Sequence, residues 1–192
     1  MCASTPTPHA SASGPNTSVP IAPGVRRQAA TLDLAILRLA RTRCHGAACE
    51  RNVRRFSRLG EHGAVWLALG TAGGLLERDP VRRERWRTAI ITTIRAHALN
   101  TAVKLVVRRR RPQLPDLPPL APAPTQLSFP SAHAATSFAA ARTLAGAGAP
   151  KAPLRALAIT LSLSRLYLGL HYPSDVVAGA LLGRLVADRS SQ

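Results

Sequence analysis

Apolar residues fall along the chain in blocks separated by proline and glycine. From Arg26 to about Cys44 the pattern is amphipathic: Leu32, Ile36 and Leu39 recur at helical spacing, with Arg38, Arg41 and Arg43 on other faces. That pattern predicts a helix lying on a membrane surface or packed against a bundle. Arg51 to Arg58 forms a second, shorter basic stretch. Five apolar segments follow, over 63–76, 86–107, 132–149, 153–170 and 175–187. A proline-rich loop, 112–124, separates the second from the third. Pro80, Pro112, Pro130, Pro150, Pro153 and Pro173 sit at the junctions, the punctuation of helices joined by tight connections. The expected fold is all-α: about five core helices in one bundle, preceded by an N-terminal amphipathic helix. Residues 1–25 are rich in Ser, Thr, Pro and Ala with no apolar period, and are expected to form a disordered tail. Residues 26–192 are expected to be a single domain, with basic amphipathic helices over 26–59 and the bundle over 60–189.

A helix needs about 20 apolar residues to cross a bilayer. No block here is clean: the first is short and the next three contain arginine. Yet the blocks are rich in Ala, Leu and Gly on most faces, which does not suit a wetted surface. Their internal charges coincide with the candidate chemistry below, where such charges face a cavity. A multi-pass protein of the cell membrane is therefore the expectation.

Composition narrows the partners. The 192 residues suffice for one domain. The formal charge is +17, carried almost wholly by arginine, so the partner is nucleic acid, or anionic lipid and phosphorylated substrate. The arginines flank apolar runs and form no single stripe. Aromatics for base stacking make up only 4%, which weighs against a nucleic-acid-binding protein. Cys2, Cys44 and Cys49 are odd in number and imply no disulfide framework. Cys44, His45 and Cys49 lack an evident fourth ligand, so no metal is expected. No charged stretch followed by an apolar run opens the chain, so no cleavable signal peptide is expected.

Three pieces carry the candidate chemistry. Lys104 and Arg111 lie seven residues apart, two helical turns, and share a face if the helix runs on to Pro112. Arg108, Arg109 and Arg110 between them read as a snorkelling basic cluster. Pro130-Ser131-Ala132-His133 opens an alanine-rich helix. Ser131 can cap it, and the free N–H groups there can hold phosphate oxygens with His133 in reach. In Ser164-Arg165 followed by His171 and Asp175, the carboxylate can hold one imidazole nitrogen and leave the other as a nucleophile, while Arg165 can fork onto phosphate oxygens.

Order and spacing together make the pattern specific. Lys104 with Arg111-Pro112, then Pro130-Ser131-Ala132-His133, then Ser164-Arg165, His171 and Asp175 resemble the type 2 phosphatidic acid phosphatase (PAP2) superfamily, which shares its helical core with vanadium haloperoxidases. The likeness runs over roughly residues 60 to 187. Its one departure is Ala132, where the family has glycine; a positive φ there would be strained. The resemblance implies a membrane-embedded bundle and a metal-independent lipid phosphate phosphatase with no cofactor. It implies that His171 is the nucleophile, that Asp175 holds it and that His133 protonates the leaving oxygen. Lys104, Arg111, Ser131, the Ala132 N–H and Arg165 would bind the phosphoryl oxygens. Ser57 to His62 and Gln126 to Ala134 further resemble the actinobacterial enzymes acting on decaprenylphosphoryl-5-phosphoribose, on the way to cell-wall arabinan, with Glu61 and His62 as candidate sugar contacts or plain helix-end residues. The motifs read phosphate and not its carrier, so undecaprenyl pyrophosphate, phosphatidylglycerophosphate and phosphatidic acid are alternative substrates. No obligate protein partner is expected.

Overall fold

A computed structural model describes residues 23–43 and 45–190. The expected tail lies outside them up to residue 22, as do Cys2 and Cys44. Seven helices occur among the described residues: α1 (Pro23–Thr42), α2 (Ala47–Arg58), α3 (Ala64–Leu76), α4 (Pro80–Val107), α5 (Ala132–Gly146), α6 (Lys151–Tyr167) and α7 (Pro173–Ser190), with a short 3-10 turn at Glu61–Gly63. The expected all-α bundle holds, with α3 to α7 as its five core helices.

Local signals account for the boundaries. Helix α4 starts six residues before its apolar block because Asp79 accepts hydrogen bonds from the N–H groups of Val81 and Arg82, and Pro80 fits the first helical position. It ends at Val107, since Arg108 turns into the left-handed region at φ 53°. Lys104 and Arg111 therefore do not share a helical face. Residues 109–111 run extended, and Arg110 pairs with Leu127 in an isolated antiparallel bridge.

Helix α5 lies at the centre, packed by α4, α6 and α7. Small residues fill the interior: Ala89, Ala96, Ala134, Ala135, Ala139 and Ala140, with Thr92, Thr93, Thr136 and Ser137. Trp66 is the large anchor, and its Nε1–H donates to Ser137 Oγ at 2.9 Å. Leu75, Leu76, Leu105, Val106, Val177 and Leu185 point outward and are more than half exposed. Leu144, Leu154 and Leu161 are buried with Trp66, but outward apolar side chains combined with close contacts between small residues are what helix packing in lipid selects. Among the described residues, helix α4 alone is long and apolar enough to cross a membrane by length and composition.

Helix α1 also turns large apolar residues outward. Its buried stripe is Asp33, Leu37 and Arg41, while Leu32, Ile36 and Leu39 face outward. The apolar stripe is thus not the packing stripe, because polar contacts dock this helix. Arg41 donates to the carbonyls of Tyr167 and Pro118, and Arg38 pairs with Asp116 at 2.6 Å.

Glycines let α7 approach the start of α5. A methyl group on Gly179 would strike the Ser131 carbonyl, and one on Gly183 the Ala135 carbonyl. Four residues apart on α7, they make a small-residue face. Gly183→Leu should therefore lower stability by roughly 1–3 kcal/mol through overpacking, read as a lower thermal midpoint in detergent. Gly146→Ala, with nothing near its added carbon, should not lower it.

Candidate active site

The loop between α6 and α7 delivers His171, which is 2% exposed and lies beside the start of α5. Asp175, wholly buried in the first turn of α7, faces it: Asp175 Oδ2 lies 3.6 Å from His171 Nδ1. That distance is long for a closed hydrogen bond, and His171 Nδ1 has no other partner. The other ring nitrogen, Nε2, accepts from the Arg111 guanidinium at 3.2 Å. The lone pair is thereby assigned to Nε2 and the proton to Nδ1, toward the carboxylate. Burial pushes the imidazole down to about 3; Asp175 pulls it up, and Arg111 and Arg165 push it further down. His171 is thus neutral at physiological pH.

Arg111 reaches this point from the extended strand, held by the carbonyls of Thr125 (2.7 Å) and Leu170 (2.6 Å). Lys104 comes from the last turn of α4 and donates to the Leu127 carbonyl at 3.2 Å. Arg165, buried near the end of α6, donates through NH1 to Ser57 Oγ at 2.8 Å, and its Nε has no partner. At the start of α5 the Ser131 N–H donates to the Asp175 carbonyl at 2.9 Å. Ser131 does not cap the helix through its side chain; its Oγ is buried and unpartnered. A buried orphan hydroxyl at a helix N-terminus beside three cations suits an anion. Ala132 is helical and is not among the residues with positive φ, so the methyl that replaces glycine is accommodated.

His133 Nε2 lies 3.0 Å from the Ser57 carbonyl, which can only accept, so this nitrogen carries the proton. Gly60 packs on its ring: a methyl there would meet His133 Cδ2 at 2.7 Å. Most of the expected site residues therefore gather in one corner: Ser131, His133, Arg165, His171 and Asp175 are buried, Lys104, Arg111 and Ala132 half-buried, and Glu61 exposed. The exception is His62, which is exposed and tilts against the His97 ring at 5.6 Å between centroids, away from the cleft that Glu61 lines beside Arg165. No group of three or more His, Cys, Asp or Glu side chains suited to a metal ion occurs among the described residues.

Three residues escaped the sequence reading. Arg109 is not a snorkelling cation. It donates to Asp175 Oδ1 and Asp33 Oδ2, each at 2.8 Å, and to Ser174 Oγ at 2.7 Å, with its guanidinium 4.0 Å above the Tyr172 ring. Asp33, from α1, also accepts from the Ser174 N–H at 2.9 Å. Ser57 joins His133, Ser164 and Arg165. Arg109 stands in a run of four arginines, and only the contact with two buried carboxylates distinguishes it. Asp33 sits in an amphipathic helix and looks solvated.

Charge completes the geometry. Arg109 is matched by Asp33 and Asp175, whereas Lys104, Arg111 and Arg165 are in no ion pair among the described residues. These four cations against two carboxylates leave a surplus of two positive charges, the complement of a phosphate dianion.

Comparison with known proteins agrees. The family model of the PAP2 superfamily matches residues 86–190. The chain is 45% identical over 126 residues to the decaprenylphosphoryl-5-phosphoribose phosphatase of Mycolicibacterium smegmatis, covering 66% of this chain and 68% of that protein. The like-named protein of Mycobacterium tuberculosis is 41% identical over 133 residues, 69% of this chain and 73% of that one. Among solved structures, Aquifex aeolicus LpxE has a TM-score of 0.71 at 28% identity, over 83% of this chain and 94% of that one. The transmembrane PAP2-type phosphatidylglycerolphosphate phosphatase of Bacillus subtilis shares the fold, with a TM-score of 0.69 at 21% identity over 85% of each chain.

The three adjacent arginines give a direct test of the arrangement. Arg109→Ala leaves two buried carboxylates without their cation. It should cost roughly 2–3 kcal/mol, below the usual loss for a fully buried pair because Arg109 is 30% exposed. Arg108→Ala and Arg110→Ala, both exposed, should leave the thermal midpoint within about 0.5 kcal/mol of the parent.

Proposed function

The chain belongs to the PAP2 superfamily and is a lipid phosphatase, and from that premise we propose that it hydrolyses a lipid-linked phosphomonoester through a phosphohistidine on His171. The observation that carries the mechanism is His171 itself: neutral, buried, its Nε2 lone pair turned toward the Arg111 guanidinium, with Arg165 near enough to act on the ring. For the substrate we propose decaprenylphosphoryl-5-phosphoribose, which the relatives at 41–45% identity are named for. The bond cleaved is the ester to the 5-phosphate.

The steps follow from the geometry. A phosphate displaces the Arg111 contact and sits between Lys104, Arg111, Arg165, Ser131 Oγ and the free N–H groups opening α5. Nε2 attacks phosphorus, a P–N bond forms and the ester P–O bond breaks. Asp175 balances the positive charge that develops on the ring. His133, protonated when the phosphate dianion binds, gives that second proton to the leaving oxygen and is left neutral, its Nε2–H still donated to the Ser57 carbonyl. It then takes a proton from the water that cleaves the P–N bond, releasing inorganic phosphate. The cations stabilise the charge spread over the equatorial oxygens, the role a metal ion plays elsewhere.

The outward leucines and the interior of small residues support a multi-pass arrangement in the cell membrane. Helices of 13 to 18 residues are short for a bilayer, and arginines at their ends can snorkel to the headgroups.

The purified protein should release phosphate from a prenylphosphoryl ribose 5-phosphate in the presence of EDTA. His171→Ala should lower that rate by at least about 10³-fold with an unchanged thermal midpoint. Full activity in the variant, or a strict need for Mg²⁺, would contradict the proposal. Preference for phosphatidic acid or a polyprenyl pyrophosphate in the same screen would keep the mechanism and replace the substrate.

A further inference from the structure

We propose that Arg54 and Arg58 of α2 form a second anion subsite at the mouth of the active site, which takes the phosphodiester of a substrate carrying two phosphates. The inference rests on the substrate reading above and extends it to residues outside the family motifs.

Arg54 and Arg58 are four residues apart and share one stripe of α2. Ser57, beside them, reaches Arg165 and His133, so α2 docks on the active site along this side. Arg54, Ser57, Arg58, Glu61 and Arg165 line one cleft of about 30 Å³, closed on its far side by Ala121 and Pro122 of the proline-rich loop. Arg165 belongs to both places: one end faces the reacting phosphate, the other the cleft.

The cleft has the features of an anion site. Among the described residues, neither Arg54 nor Arg58 is in an ion pair, although carboxylates elsewhere on the protein surface are paired, as in Arg38 with Asp116. The Arg54 Nε is buried with no acceptor. Leaving a buried charged donor unsatisfied costs free energy that a ligand oxygen would recover. Arg51 and Arg55 of the same helix are exposed and do not line this cleft, whereas Arg54 is half-buried in it and Arg58 lies exposed at its edge.

Arg165 is common to the two anion positions: it lines the cleft and is one of the cations proposed to hold the reacting phosphate. A ligand that fills both needs a short polar link. A pentose with phosphate on one end and a phosphodiester on the other supplies it, and Glu61 can accept hydrogen bonds from its hydroxyls. A lipid with a single phosphate fills only the inner position. The cleft thus selects for the second phosphate and leaves the prenyl chain to run outward from the rim.

The test uses the full chain in detergent with two substrates: a short-chain prenylphosphoryl ribose 5-phosphate, and ribose 5-phosphate, which lacks the second phosphate. Arg54→Gln/Arg58→Gln should lower kcat/KM for the two-phosphate substrate about thirtyfold, mostly through KM. That loss should exceed the loss on ribose 5-phosphate at least tenfold, and it should shrink as salt rises. Arg54→Lys/Arg58→Lys, which keeps the charge, should recover most of it. Equal losses on both substrates, or no loss, would overturn the subsite. A parent protein that hydrolyses phosphatidic acid but not the two-phosphate substrate would instead overturn the substrate reading on which the subsite rests.

Discussion

Asp175 is the residue on which the rest of the site depends. Its carboxylate is wholly buried, and each oxygen has its own task. Oδ2 accepts from the Tyr172 N–H and faces His171, the proposed nucleophile, while Oδ1 takes the Arg109 guanidinium. Its backbone carbonyl accepts from the Ser131 N–H, at the end of α5 proposed to bind phosphate. That buried charge is held by the facing His171 ring and the Tyr172 N–H, and the Arg109 guanidinium stands against its other oxygen. Arg109 in turn is shared with Asp33 of α1. The orientation of His171 is thus fixed by a chain of charges running out to the N-terminal helix, and α1 is part of the active site although it touches no substrate.

The fold places this chain of charges by close packing rather than by a large apolar core. Alanine, serine, threonine and glycine let α5 and α7 approach until backbone meets backbone at Gly179 and Gly183. That approach brings the start of α7 against the start of α5, so the two helix N-termini and both histidines converge. Many large apolar side chains are turned outward, toward lipid in the proposed arrangement. The corner around His171 can hold several cations because hydrogen bonds and small residues lock the surrounding helices, and burial keeps His171 neutral, as the proposed attack on phosphorus needs.

Much of this was legible in the chain. The apolar blocks gave the five core helices, and motif spacing located the two histidines, Asp175 and the three unpaired cations, because such residue types recur at helix ends where chemistry happens. What escaped depends on three-dimensional contact. A left-handed turn at Arg108 unwinds α4, so Arg111 arrives from a strand-like segment and not from the helical face that its spacing suggested. Arg109 looked like one more membrane-boundary cation, and Asp33 like one polar residue of an amphipathic helix; only the meeting of the two assigns them work. The apolar stripe of α1 also misled about which face packs, because there the polar stripe is the one that docks.

The central claim is that His171 carries the phosphoryl group. Its most direct test is rapid-quench turnover of a substrate labelled in the transferred phosphate, followed by mapping of the labelled peptide. The account predicts an acid-labile, alkali-stable phosphohistidine at His171, formed and consumed within the turnover time and absent from His171→Gln. Label on another residue, or turnover by the His171→Gln protein at the parent rate, would contradict it.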